Sequence, residues 1–279
     1  MSMLEREASA SASKQGLMRA KRGLIMGVAN DHSIAWGIAR ALADQGAALA
    51  FTFQGEALGK RVKPLAESVG SSIVLPCDVE DLASVETVFE ALGAQWGALD
   101  FVVHCIGYSD RNELKGRYAD TTRDNFTRTM VISAFSFTEI AKRAAALMPA
   151  GGAMLTLTFG GATRVMPNYN VMGVAKAALE ASVRYLAADF GPSGIRVNAI
   201  SAGPVRTLAG AGITDARFMF NFQKAHAPLR RTVTIEDVGG AALYLLSDLS
   251  SGVTGETHFV DSGYNIISMP RPEDIKSGE

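Results

Sequence analysis

Between residues 23 and about 263, short apolar runs alternate with longer amphipathic stretches. The runs 23–29, 47–54, 72–79, 99–107, 152–158, 195–201 and 257–261 predict seven strands. Several, such as FVVHCIG and AMLTLTF, are apolar without a break, as parallel strands covered on both faces are. The stretches 34–45, 56–69, 82–96, 123–148, 168–190 and 235–247 are long enough to be crossover helices. Strand-helix alternation of this kind predicts an α/β fold, a Rossmann-type doubly wound seven-stranded parallel sheet. Its length of 279 residues would admit one or two domains. Because no linker interrupts the alternation, one domain is expected over 21–268, with tails at 1–20 and 269–279.

One segment breaks the rhythm. Residues 203–231 separate the sixth strand from the next helix, and connections of that length are usually functional. Phe218, Met219, Phe220 and Phe222 lie there at helix-like spacing. Two readings stay open: a short helix packed on the core, or a mobile lid over a greasy ligand at about 204–224.

Composition removes other classes. Hydrophobic residues make up 48% and charged residues 20%, with a net charge of −1 and no dense Lys/Arg run, so a nucleic-acid partner is not expected. Cys77 and Cys105 form no CxxC, and His32, His104, His226 and His258 show no metal-ligand spacing. No metal site is expected. No apolar run reaches the ~18–20 residues that cross a bilayer, and the Ser/Ala-rich amino end lacks the apolar region of a secretory signal, so no membrane association and a cytoplasmic setting are expected.

Candidate chemistry sits at the strand ends. The first strand enters Gly27-Val-Ala-Asn-Asp-His-Ser33 and then an amphipathic stretch. Gly27 permits a tight turn, while the amides opening the next helix and the Ser33 hydroxyl can donate to phosphate at the positive end of the helix dipole. The turn is not GxGxxG, but its place between strand and helix points to a dinucleotide rather than an ordinary turn. Ligands in such sheets lie beyond the carboxyl ends of the strands. Gln54 ends the second strand where a residue facing the adenosine ribose is expected, and it leaves NAD versus NADP open. Asp78 ends the third and can accept from an adenine amino group or cap the next helix. Ile106-Gly107 ends the fourth, where glycine allows close approach to a ribose.

After the fifth strand, Tyr169 and Lys176 are seven residues apart in a helical stretch. Two turns place them on one face, a phenol with an ammonium behind it. A nearby cation would favour the phenolate and make the Tyr a better proton or hydrogen-bond donor. Such a pair also occurs by chance in many helices.

The segments GVANDHSIAWGIA at 27–39, FTFQ at 51–54, PCDV at 76–79, HCIG at 104–107, PNYNVMGVAKAALE at 167–180, RVNAISAGPVRTLA at 196–209 and RRTVTIEDVG at 230–239 supply the context. With them the sequence resembles the bacterial enoyl-acyl-carrier-protein reductases, a divergent branch of the short-chain dehydrogenase/reductase family, from Gly23 onward. An ordinary member of that family has Lys four residues after the Tyr; here that position is Gly173 and the Lys stands one turn on.

The resemblance implies reduction of a trans-2-enoyl thioester on acyl-carrier protein, the last step of the fatty acid elongation cycle. Hydride from NADH would reach the β-carbon while Tyr169 stabilises the enolate oxygen. It implies that Lys176 holds the nicotinamide ribose and that Gly27, Ser33, Ile34, Gln54, Asp78, Val79 and Ile106 contact the cofactor. Val205, Arg206, Thr207, Leu208 and Ala209 would close around its nicotinamide and pyrophosphate, and Ser109, Phe159 and Met172 would face the substrate. The form with Gln54 implies NADH, and the family implies a homotetramer. One departure stands out: many members carry a second Tyr ten residues before the catalytic one, and here that residue is Phe159. It can wall the pocket but supplies no hydroxyl. The alternatives are a carbonyl reductase of the same fold, which would want Tyr-x-x-x-Lys and a Ser, and a non-catalytic NAD-binding regulator, which would not need the Tyr.

Overall fold

The computed structural model describes residues 16–207, 216–269 and 271. Seven parallel strands form one sheet in the order β3-β2-β1-β4-β5-β6-β7. They are β1 (Arg22–Met26), β2 (Ala48–Phe53), β3 (Ile73–Pro76), β4 (Phe101–His104), β5 (Gly152–Thr158), β6 (Ile195–Ala202) and β7 (Thr257–Val260). The helices are α1 (Ile34–Asp44), α2 (Gly55–Ser68), α3 (Leu82–Trp96), α4 (Arg123–Met130), α5 (Ser136–Ala146), α6 (Asn170–Phe190), α7 (Ala216–His226) and α8 (Ile235–Leu246). The expected doubly wound architecture is what forms.

The unbroken apolar runs have a geometric cause. Successive side chains of a strand point to opposite faces, so a strand covered on both sides needs apolar residues at every position. Ile25 joins the core formed with Trp36, Ile38 and Leu42 of α1 and Leu245 of α8. Its neighbours Leu24 and Met26 join the opposite core, with Phe89 and Leu92 of α3, Phe137 and Ile140 of α5, and Leu179 and Val183 of α6. Burying a side chain of this size contributes roughly 1.5–3 kcal/mol.

Three boundaries differ most from expectation. Met18, within the stretch expected as an amino-terminal tail, is fully buried, and its amide donates to Gln45 O at 3.0 Å. Of the expected tails, residues 1–15, 270 and 272–279 lie outside the described residues. The fourth strand stops at His104 rather than 107, and just beyond it Ser133 Oγ holds both the N–H and the C=O of Tyr108 at 2.9 Å. The expected single helix 123–148 divides into α4 and α5 around a π-turn, Val131–Phe135, which carries that serine. In the long connection after β6, the apolar cluster forms α7 with ring contacts Phe218–Phe222 at 5.7 Å and Phe222–Tyr264 at 6.3 Å. The helix reading holds there; residues 208–215 lie outside the described residues.

Candidate active site

The strand order reverses at β1, which lies between β2 and β4, and the carboxyl ends there open into a cavity of about 810 Å³. Gly27, Ser33, Ile34, Ile106, Ser109, Phe159, Tyr169, Met172, Lys176 and Thr207 all line it. Residues from five separate segments of the sequence therefore meet. Gln54 and Asp78 stand apart from this lining, bonded to each other: Gln54 Nε2 donates to Asp78 Oδ2 at 3.0 Å. Asp78 is not the cap of α3. Its other oxygen accepts from Glu80 N, while Asp81 caps the helix through Ala83 N. Val79 packs at the edge of one core and Val205 inside the opposite one. The Arg206 guanidinium lies 5.8 Å from the Phe220 ring centre. Leu208 and Ala209 fall outside the described residues.

At the first turn, Gly27 has φ +94, and a Cβ there would come within 2.1 Å of Cys105 O. Only glycine permits both the backbone angle and the approach of β1 to β4. The turn ends at Ser33, the N-cap of α1, so the amides of Ile34 and Ala35 open the helix as donors that the helix itself does not use. The Ser33 hydroxyl is engaged within the turn. Its Oγ accepts from Ala29 N and Asn30 N at 3.0 and 3.1 Å, and its proton is directed at Asn30 Oδ1. Ser33 holds the turn, and the amides are left to receive an anion.

Tyr169 is the N-cap of α6 rather than a residue inside it, flanked by two asparagines in the left-handed region, Asn168 at φ 56 and Asn170 at φ 31. Asparagine tolerates that region better than most residues. The Tyr169 ring meets Phe159 edge-on at 5.1 Å and rests against Gly161, where a Cβ would lie 2.5 Å from the ring. Lys176, on the next turns of α6, is buried and donates from Nζ to Leu157 O at 2.7 Å. Two of its three protons remain to face the cavity. A Cβ at Gly107 would stand 3.8 Å from that Nζ, so the missing side chain leaves space directly before the ammonium.

Burial dominates the electrostatics. It lowers Lys176 from its ordinary 10.5 to about 8, opposed by the neighbouring Cys105 and Glu180. It raises the Tyr169 phenol above its usual range. Tyr169 is thus a neutral donor. His104, fully buried, is lowered to about 3, first by burial and then by Lys176. Its ring lies between two buried hydroxyls: Nε2 is 2.9 Å from Ser136 Oγ, which donates to Ile132 O, and Nδ1 is 3.1 Å from Thr156 Oγ1, which donates to His104 O.

Ser109 lines the cavity from the loop after β4, in a network with Asn125 and Thr129. Leu114, further along that loop, packs on Tyr169 and Met172. Sequence reading missed Leu114 and the Leu157 carbonyl; a backbone oxygen leaves no mark in the residue pattern. It could have flagged Asn168 and Asn170, since paired asparagines around one residue are a sign of left-handed backbone. Beyond Phe159, which lines both spaces, lies a second cavity of about 420 Å³ walled by Met166, Pro167, Phe218, Met219, Phe222 and Tyr264.

A doubly wound parallel sheet, a glycine turn feeding a helix amino terminus at the switch point, and a buried phenol and a buried ammonium lining one cavity define a dinucleotide-dependent oxidoreductase. The family described as Enoyl-(Acyl carrier protein) reductase matches residues 27–265, and the chain belongs to it. It is 76% identical over 261 residues to the Enoyl-[acyl-carrier-protein] reductase [NADH] 2 of Rhizobium meliloti, covering 94% of this chain and 97% of that one. Among solved structures it is similar to FabI from Candidatus Liberibacter asiaticus, with a TM-score of 0.90, 61% identity, and 92% and 99% of the two chains covered. It is also similar to the enoyl-(acyl-carrier-protein) reductase of Anaplasma phagocytophilum in complex with NAD, with a TM-score of 0.89, 58% identity, and 92% and 98% covered.

Proposed function

We propose that Tyr169 and Lys176 are the catalytic pair with which this chain, an NADH-dependent enoyl-acyl-carrier-protein reductase, reduces trans-2-enoyl thioesters. The observation that carries the assignment is steric. A carbonyl reductase of this fold would place its lysine at position 173, where a Cβ would lie 2.8 Å from Gly161 O, so no lysine fits. Lys176 occupies the buried position instead.

The residues fit a nicotinamide dinucleotide: the free amides of α1 for phosphate, and the space at Gly107 before the Lys176 ammonium for ribose hydroxyls. When bound, NADH supplies the hydride that goes to the β-carbon of the enoyl thioester. Tyr169, kept protonated by burial, donates its hydrogen bond to the thioester oxygen as negative charge gathers there, and in a dry site that bond is far stronger than in water. Lys176 orients the ribose with its two remaining protons. Phe159 keeps water from the Tyr169 ring, and Met172 and Leu114 close the same wall. Phe159 contributes no acid, so Tyr169 stabilises the oxygen alone. The apolar cavity beyond Phe159 suits the acyl tail. Ile106 and Thr207 border the cofactor, and Ser109 the substrate.

No described helix is long and apolar enough to cross a membrane, and a cytoplasmic location belongs to this proposal. So does a homotetramer, for which the exposed Val131, Phe135 and Tyr185 offer apolar surface. Sedimentation of the purified chain at four times the monomer mass is expected; a monomer would refute it. The activity is tested by NADH oxidation with crotonyl and longer enoyl thioesters against ketoacyl thioesters. Turnover of the enoyl substrates is expected, and turnover of the ketoacyl substrates alone would overturn the assignment.

A further inference from the structure

The loop that follows β4 is tied to the start of α6 by one side chain next to the catalytic phenol. Asn170 Nδ2 donates to Glu113 O at 3.1 Å and Lys115 O at 3.3 Å, with Gly116 O at 3.4 Å completing the cup. The same loop is fixed at its other side. The Glu113 carboxylate accepts from Thr122 N, Thr122 Oγ1 and Asn125 Nδ2, and Asn125 Oδ1 accepts from Asp110 N at 3.0 Å. Asn125 also meets the buried Ser109 hydroxyl at 3.3 Å. These bonds, linked through Glu113, connect Asn170, the residue after Tyr169, to Ser109; Tyr169 and Ser109 line the cavity from separate elements.

We infer that Asn170 is a positioning residue for Tyr169, holding the phenol at a fixed place across the cavity from the Ser109 wall. Two features of Asn170 serve this. Its backbone adopts φ 31, a conformation that side chains other than asparagine and glycine resist, and this sets the direction from which Tyr169 enters the helix. Its amide then anchors that backbone to the loop, so the angle of the phenol is not free to relax when α6 breathes. Leu114, carried by the anchored loop, presses on Tyr169 and Met172 from the same side. The position of the phenol depends on the loop, and the loop on Asn170. Asn170 is not placed among the groups that touch the cofactor, so its loss should be felt at Tyr169 and not in NADH binding.

The test is a double-mutant cycle between Asn170→Gly and Tyr169→Phe in the full chain. Glycine keeps the left-handed backbone and removes only the anchor. Misplacement of a reacting group by about 1 Å can cost ~100-fold. Asn170→Gly is expected to lower kcat for an enoyl thioester about tenfold or more, with the NADH dissociation constant within about twofold of wild type. In the Tyr169→Phe background the same change should cost nothing further, because the group it positions is gone. Wild-type kcat in Asn170→Gly would overturn the proposal, as would an equal further loss in the Tyr169→Phe background or a matching loss of NADH affinity. If Asn170→Gly does not fold, Asn170→Asp serves in the same cycle with the same outcomes, since it accepts the backbone angle but faces the three carbonyls with an acceptor.

Discussion

Replacing Lys176 by methionine separates what the lysine costs the fold from what it gives the site. The ammonium is buried with one bond, to Leu157 O, and burial lowers it from 10.5 to about 8. At about 1.4 kcal/mol per pH unit, that fall is roughly 3 kcal/mol of penalty for keeping the charge in the folded chain at neutral pH. Methionine removes the penalty and keeps the bulk, but leaves Leu157 O without its donor at a cost of about 1–3 kcal/mol. The net gain for Lys176→Met at pH 7 is on the order of 1 kcal/mol, a melting shift of about 2–4 °C for a chain of this size. The sign changes with pH. Between 8 and 10.5 the unfolded chain binds the Lys176 proton more than the folded chain does, so the stability of the wild type rises with pH across that window. Above it the lysine is neutral in both states and retains its hydrogen bond, and Lys176→Met should become the less stable protein. Thermal unfolding of both proteins without cofactor, from pH 7 to 10.5, measures the difference. A difference that is constant across the series would refute the buried ammonium, while NADH binding should be lost in the variant at every pH.

Other outcomes follow from the same geometry. His104 is lowered from 6.5 to about 3, so the folded state resists its protonation and the stability it allows above 6.5 is lost as pH falls toward 3. His104→Gln should unfold over a narrower range of acid; an identical acid transition would remove His104 from that role. In Gly27→Ala the new Cβ meets Cys105 O at 2.1 Å on a backbone at φ +94, at a backbone cost of about 1–2 kcal/mol before any clash. NADH affinity should fall about tenfold or more by fluorescence titration, and unchanged affinity would place the cofactor elsewhere. Phe159→Tyr keeps the edge-on contact with Tyr169 and should leave kcat within about twofold; a large gain would mean that a second phenol takes part.

The sheet was legible because alternation at two scales, apolar runs against amphipathic stretches, is imposed by burial on both faces. Leu24 and Ile25 illustrate it, adjacent in sequence and on opposite cores. The pair Tyr169 and Lys176 was legible through spacing and resemblance. Its details were not. Whether Tyr169 sits in the helix or caps it depends on two left-handed asparagines whose effect is conformational, and the charge state of the phenol depends on burial that only the packed chain defines. The Ser33 hydroxyl also accepts from the loop amides before it, a local contact that the residue pattern does not display. The end of β4 was misjudged. Pairing stops at His104, and Ser133, twenty-five residues along, holds both backbone groups of Tyr108 just beyond it.

The central claim, that one phenol carries the oxygen of the enoyl thioester, is tested most directly by single-turnover reduction of a crotonyl thioester in Tyr169→Phe with NADH prebound. Removing one donor to a developing oxyanion costs about 100- to 1,000-fold. That loss is expected, with the NADH dissociation constant unchanged. A rate equal to wild type would contradict the assignment of Tyr169.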